Sequence, residues 1–196
     1  MPHAAPASDR PSRPVGFVRH LLLAVQYFTR VPLPARLAAW VGYSPAMMKA
    51  ATAHFPGVGW LVAGVSAAVL ALGWWLLGGQ PALVALVAVV LSMTASAWIT
   101  GAIHEDGLAD VCDGLGGSAD RETALRIMKD SRLGSYAAMA LVLALLLKAG
   151  LLALLLAGGR GQAVLALLVA HVLSRWAAMG LPQWLSYVGG HQPPRS

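Results

Sequence analysis

Four stretches of this chain are apolar almost throughout: residues 57–77, 81–100, 135–157 and 162–185. Each is close to the roughly 20 residues that a helix needs to cross the hydrocarbon of a bilayer. None holds an Asp or Glu. Trp60, Trp74, Trp75, Trp98 and Tyr136 fall near their ends, where amphipathic rings favour the membrane–water interface. Residues 15–27 are helical in pattern but interrupted by Arg19, His20 and Gln26, which predicts an interfacial or partly inserted helix. Thr29, Arg30, Val31, Pro32, Leu33 and Pro34 follow, and proline cannot continue a helix. Residues 1–14 carry Pro2, Pro6, Pro11 and Pro14 and read as a disordered leader. The broken apolar run after them does not fit a signal peptide. The predicted fold is therefore all-α: a polytopic integral membrane helix bundle of about four spanning helices with an interfacial N-terminal helix. It forms one membrane domain over residues 15–190, with a loop at 101–134 and a short tail at 191–196.

Composition agrees with lipid as the main solvent. The chain is 58% hydrophobic and 11% charged, with a mean hydropathy of +0.66. A soluble domain would carry about 25% charged residues. The net charge of +6 suits anionic lipid or an anionic substrate, whereas so few charges in total do not make a nucleic-acid surface. Six basic residues precede the first span, from Arg10 to Lys49, and four more lie between the second and third: Arg121, Arg126, Lys129 and Arg132. The two short connections hold only Arg160. Positive charge stays inside, so the N-terminus, the 101–134 loop and the C-terminus are expected in the cytoplasm of a multi-pass membrane protein. Cys112 is the only cysteine, which excludes an intrachain disulfide.

The candidate chemistry is concentrated in that loop. Of the eight carboxylates, seven lie between Glu105 and Asp130. On a helix Asp106, Asp110 and Asp113 share one face at i, i+4, i+7, with neighbouring Cβ atoms about 5–6 Å apart. Such like charges destabilise a helix, and a divalent cation would reverse that penalty. Oxygen-only ligands favour Mg²⁺, Mn²⁺ or Ca²⁺ over zinc, and few carboxylates plus substrate phosphates is the usual Mg²⁺ arrangement. Gly107, Gly114, Gly116 and Gly117 would let a phosphate approach the backbone. Ser118 suits the N-cap of a second helix with Asp120 and Glu122 in its first turn, and Glu122 with Arg126 suits an i,i+4 pair. Lys129, Asp130 and Arg132 are candidates for offsetting charge in phosphoryl transfer. His104 is a general base, a phosphate contact or a solvated interfacial histidine, and Cys112 a packing residue. Inside the spans, Lys148 snorkels or pairs, and Arg175, with His171 at i−4, could reach a phosphate.

The motifs resemble those of adenosylcobinamide-GDP ribazoletransferase, or cobalamin synthase. The block Gly101 to Gly114 is similar to the family's Gly-x-x-His-x-Asp-Gly-Leu-Ala-Asp-x-x-Asp-Gly. Phe28-Thr29-Arg30-Val31-Pro32-Leu33-Pro34 resembles its N-terminal motif with a one-residue shift between Phe and Thr. Phe55-Pro56-Gly57-Val58-Gly59 resembles the start of its first span, with Gly57 in place of a larger apolar residue. The block from Met128 to Gly134 and Ser174-Arg175-Trp176 are also similar. Family members continue with further hydrophobic sequence, so a shortened or divergent member is expected.

The resemblance implies a reaction joining adenosylcobinamide-GDP to α-ribazole or its 5′-phosphate, with release of GMP and formation of adenosylcobalamin or its 5′-phosphate. Asp106, Asp110 and Asp113 would hold Mg²⁺ on the diphosphate. His104, Lys129, Asp130 and Arg132 would serve catalysis. Arg30, Gly107, Gly114, Gly117 and Arg175 would contact substrate. A homo-oligomer is compatible with this reading. The alternatives are a CDP-alcohol phosphatidyltransferase, whose motif begins like Asp110-x-x-Asp113-Gly114 but continues differently, a membrane prenyltransferase, and a metal-ion transporter, which would place ionisable groups at the midplane.

Overall fold

The computed structural model describes residues 13–78 and 82–185. The expected leader and tail fall mostly or wholly outside these. Among the described residues every regular element is helical: α1 (Arg13–Phe28), α2 (Ala35–Val41), α3 (Pro45–Thr52), α4 (Phe55–Leu76), α5 (Ala82–Thr100), α6 (Ile103–Gly117), α7 (Arg121–Ile127), α8 (Ser135–Gly158) and α9 (Arg160–Trp184). Four helices are long and apolar enough to cross a membrane: α4, α5, α8 and the Arg160–Leu181 part of α9. They lie where the hydrophobic pattern predicts them.

Packing between these spans uses small residues, since Leu gains little by leaving lipid for another Leu. Leu143, Leu146, Leu147 and Leu154 of α8 are exposed, while Ala63, Ser66, Ala88, Ser92, Ala149 and Ala163 are buried. α4 is the central helix, packed on both α5 and α9. Its close approach to α9 depends on Gly59, where an added Cβ would come within 2.7 Å of the His171 carbonyl oxygen. The Ser92 hydroxyl donates to the Ser66 carbonyl at 2.7 Å, a polar tie between α4 and α5 in a setting without water to compete.

A second core gathers α1, α2, α3 and the start of α4 around Leu23, Ala24, Val41, Ala51, Phe55 and Val58. The pattern of residues 15–27 signalled α1, which starts at Arg13, two residues inside the expected leader. The short α2 and α3 were not signalled, because seven or eight residues hold too little periodicity to stand out. Thr29 closes α1: its hydroxyl donates to the Val25 carbonyl at 2.7 Å and accepts from the Val31 amide at 3.2 Å.

The 101–134 segment is a helical hairpin of α6 and α7, with α6 laid against α8. Gly101 (φ 68) and Ala102 (φ 58) take left-handed conformations that break α5 from α6. The Arg30 amide donates to the Ile99 carbonyl at 2.7 Å, and the Arg30 guanidinium lies so close over Gly101 that a Cβ there would meet its Nε at 2.7 Å. The Thr29–Arg30 motif thus braces the junction that aims α6.

Candidate active site

α6 carries the aspartate face on one continuous helix, as the spacing predicts. The three carboxylates do not share one environment. Asp113 accepts from the Gly134 amide at 2.6 Å and the Ala137 amide at 2.8 Å. Gly134 is the N-cap of α8 and has no side chain to cap with, so Asp113 caps α8 from a neighbouring helix and also meets its positive dipole end. That role was not legible in the i, i+4, i+7 spacing. Its only trace in the sequence is a glycine where a capping Ser, Thr or Asp would be expected.

Among the described residues the side-chain carboxylates that accept hydrogen bonds are those of Asp113, Asp120 and Asp130. Asp106 is exposed and Asp110 half-buried, and both keep their oxygens free. No group of three or more His, Cys, Asp or Glu among the described residues stands ready to hold a metal ion. Two free carboxylates on adjacent turns nevertheless fit Mg²⁺, which usually keeps several waters and takes one or two carboxylates plus substrate phosphates.

The glycines divide in the same way. A Cβ on Gly114 would strike Met128 at 2.6 Å, and one on Gly116 would strike Tyr136 at 2.6 Å. A Cβ on Gly117 would press on Ile127 at 3.3 Å, while Gly107 faces open space. Gly107 alone of these leaves the backbone open to a ligand. The other three have their small size accounted for by the packing of α6 on α7 and α8.

In the second half of the hairpin, Ser118 is the C-cap of α6, not the N-cap of the next helix. Asp120 is that N-cap, accepting from the Thr123 amide at 2.8 Å. Asp120 binds its own helix more directly than Ser118 can, which moves the helix start two residues on. The expected Glu122–Arg126 pair is also absent: among the described residues the ion pair is Arg132 with Asp130. The Arg132 Nε donates to both Asp130 oxygens at 3.0 and 2.9 Å. This side-chain contact, and then the Arg132 backbone amide, hold the Asp130 carboxyl below its ordinary value. Arg132 and Lys129 are exposed and stand at the α7–α8 connection.

His104 begins the other flank of α6. Its ring lies 6.1 Å from that of Phe55. Burial of the ring, and then the Arg175 guanidinium, lower the imidazole below its ordinary value, although part of the residue stays open to the surface. Beneath it α9 presents Arg175, only 1% exposed and the largest fully buried side chain among the described residues. Its Nη1 lies 3.1 Å from His171 Nδ1 and 3.0 Å from the His171 carbonyl oxygen. A guanidinium can only donate, so Nδ1 is the acceptor and the imidazole proton sits on Nε2. His104 and Arg175 both lie against the Phe55 ring, and Arg175 in turn binds His171. The fold thereby joins Arg175, read separately in the sequence, to His104, whereas Lys148 is exposed on α8. The fold also adds Glu105, which the sequence did not single out because it lies off the aspartate face.

The whole arrangement is an acidic helix face on α6 with one buried guanidinium, Arg175, in α9. Over residues 20–192 the chain matches the family model described as cobalamin-5-phosphate synthase. The chain belongs to that family. It is similar to the adenosylcobinamide-GDP ribazoletransferase of Polaromonas naphthalenivorans, 61% identical over 139 residues that cover 71% of this chain and 50% of the relative. The enzyme of the same name from Albidiferax ferrireducens is 54% identical over 176 residues, covering 88% of this chain and 61% of the relative. That of a Polaromonas strain is 51% identical over 193 residues, covering 92% and 68%. The chain thus spans half to about two thirds of the length of these relatives. No solved structure matches it. The family match favours the corrinoid reading over the phosphatidyltransferase, prenyltransferase and transporter alternatives.

The Asp113 geometry carries a prediction of its own. Asp113→Asn keeps one acceptor but turns an amide N–H₂ toward a backbone N–H. Losing a charged hydrogen bond costs about 1.5–3 kcal/mol. The variant is expected to unfold at lower temperature, in a thermal melt in detergent, than Asp106→Asn or Asp110→Asn. Equal melting of all three would rule out the cap.

Proposed function

We propose that the protein is a membrane-embedded transferase that joins adenosylcobinamide-GDP to α-ribazole or α-ribazole 5′-phosphate and releases GMP. Membership of the cobalamin-5-phosphate synthase family supports the reaction. The observation that carries the site assignment is the Asp106–Asp110 face of α6, whose oxygens stay free. A diphosphate needs its charge neutralised and its leaving oxygen stabilised, which is mostly a matter of positioning and electrostatics.

Asp106 and Asp110 would hold Mg²⁺, or Mn²⁺ in its place, and when bound the cation would neutralise charge on the diphosphate. Open Gly107, between them on the helix, leaves room for the phosphates at the backbone. Lys129 and Arg132, at the surface, attract the anionic donor. Asp130 holds Arg132 in one orientation. Neutral His104 can accept a hydrogen bond or a proton at its free ring nitrogen. Arg30 acts at one remove, by fixing the α5–α6 junction. The test is GMP release from adenosylcobinamide-GDP by the purified chain given α-ribazole. Release only when both substrates are present is expected, and release that ignores the acceptor would end the proposal.

The four apolar helices make this a membrane protein. We place it in the bacterial inner membrane with the α6–α7 hairpin facing the cytoplasm, because that connection carries four basic residues. A cysteine introduced at Ser118 in a Cys112→Ala chain is expected to react with a membrane-impermeant reagent only after the cells are opened. Labelling of intact spheroplasts would reverse the orientation.

A further inference from the structure

A cavity of about 620 Å³ lies between α1, α3, α4 and the later part of α9, lined by Phe28, Lys49, Thr52, Phe55, Ala178 and Met179 among others. Phe28 and Phe55 stack at its wall with ring centroids 4.0 Å apart. Phe55 is a shared partition. The Arg175 guanidinium carbon sits 5.8 Å from the centre of its ring, and Ala178 and Met179 follow Arg175 by one helical turn, on the same side of α9. Phe55 thus belongs both to the lining of the cavity and to the surroundings of the polar cluster beneath α6.

Two groups of that cluster are unpartnered. Arg175 spends Nη1 on His171, but its Nε and Nη2, both buried, have no partner among the described residues. The same holds for Glu105 Oε2. Arg175 lies against the Phe55 ring and Glu105 follows His104, whose ring is 6.1 Å from the same Phe55, yet the two form no ion pair. What suits both is a group that accepts from a guanidinium and donates to a carboxylate, which a hydroxyl does. A phosphate would answer Arg175 and be repelled by Glu105. A lipid tail in the cavity would answer neither.

We infer that this cavity and the Glu105–Arg175 gap together bind the acceptor: an aromatic nucleoside whose ring lies along Phe28 and Phe55 and whose ribose hydroxyl bridges Glu105 and Arg175. The inference rests on the proposed reaction and assigns its second substrate a place. Its chemistry agrees with the product named in the family description. A cobalamin that keeps a 5′-phosphate must be joined through another ribose hydroxyl, so the 5′ end is free to face elsewhere. Lys49, on the cavity lining, supplies a cation for that phosphate. Glu105 and Arg175 are thus assigned to holding the acceptor, while Asp106 and Asp110, around the helix from Glu105, face the donor.

The test is equilibrium dialysis of α-ribazole and α-ribazole 5′-phosphate against the full chain in lipid nanodiscs, without donor. Ala178→Phe, which fills the cavity, is expected to weaken both acceptors at least about 10-fold and to leave adenosylcobinamide-GDP binding unchanged. Glu105→Gln, an isosteric change, should also weaken both. Lys49→Met should weaken only the phosphorylated acceptor, by several-fold. If Ala178→Phe does not fold, Met179→Trp takes its place. Acceptor affinity that is unmoved by both the cavity-filling variant and Glu105→Gln overturns the assignment and leaves the cavity to lipid. Because dialysis needs no turnover, a wild-type chain that binds the acceptor but releases no GMP refutes the proposed reaction and not this site.

Discussion

Removing divalent cations is expected to stop GMP release, and Mg²⁺ or Mn²⁺ to restore it. The reason lies in the two carboxylates that the fold leaves free. Asp106 and Asp110 sit one turn apart on α6 with no donor among the described residues. Alone, they repel each other and would repel an incoming diphosphate. A cation held by Asp106 and Asp110 would offset both repulsions and neutralise charge on the diphosphate. Loss of the cation should therefore cost more than loss of any one side chain. Turnover before and after treatment with EDTA decides the point, together with Mn²⁺ binding followed by electron paramagnetic resonance with donor present. Full turnover in a metal-free preparation would refute the ligand assignment.

The second large effect separates the carboxylates from one another. Asp106→Asn and Asp110→Asn are each expected to lower turnover by at least about 100-fold, as removal of one preorganised electrostatic group does. Glu122→Gln lies in the same hairpin and is also isosteric. Glu122 is exposed and makes no ion pair among the described residues, so turnover should be nearly unchanged. Asp113→Asn should behave differently again, losing stability first and activity through it. Steady-state GMP release by the four variants, corrected for folded protein, gives the comparison. If Glu122→Gln is as inactive as Asp110→Asn, α7 belongs to the cation site as well.

The sequence by itself determined the spans and the position of the acidic face. Twenty-residue apolar runs leave the chain no alternative to crossing lipid as helices, because every backbone polar group there must be satisfied within its own segment. The i, i+4, i+7 aspartates and the family motifs placed the chemistry on residues 101–134. Tertiary structure decided what each residue in that segment does. Asp113 looks the same as Asp106 in a helical projection, but only the packing of α6 against α8 reveals that its oxygens are taken by the Gly134 and Ala137 amides. Gly114 and Gly107 are both glycines in a motif, yet Met128 stands against one and open space against the other. Ser118 is as good a capping residue as Asp120, and which one caps α7 depended on where α6 ended. Glu105 and Arg175 lie 70 positions apart in the chain and carry no common pattern. The side-chain periodicities of helices report which residues share a face, and they are silent on what another helix brings to that face.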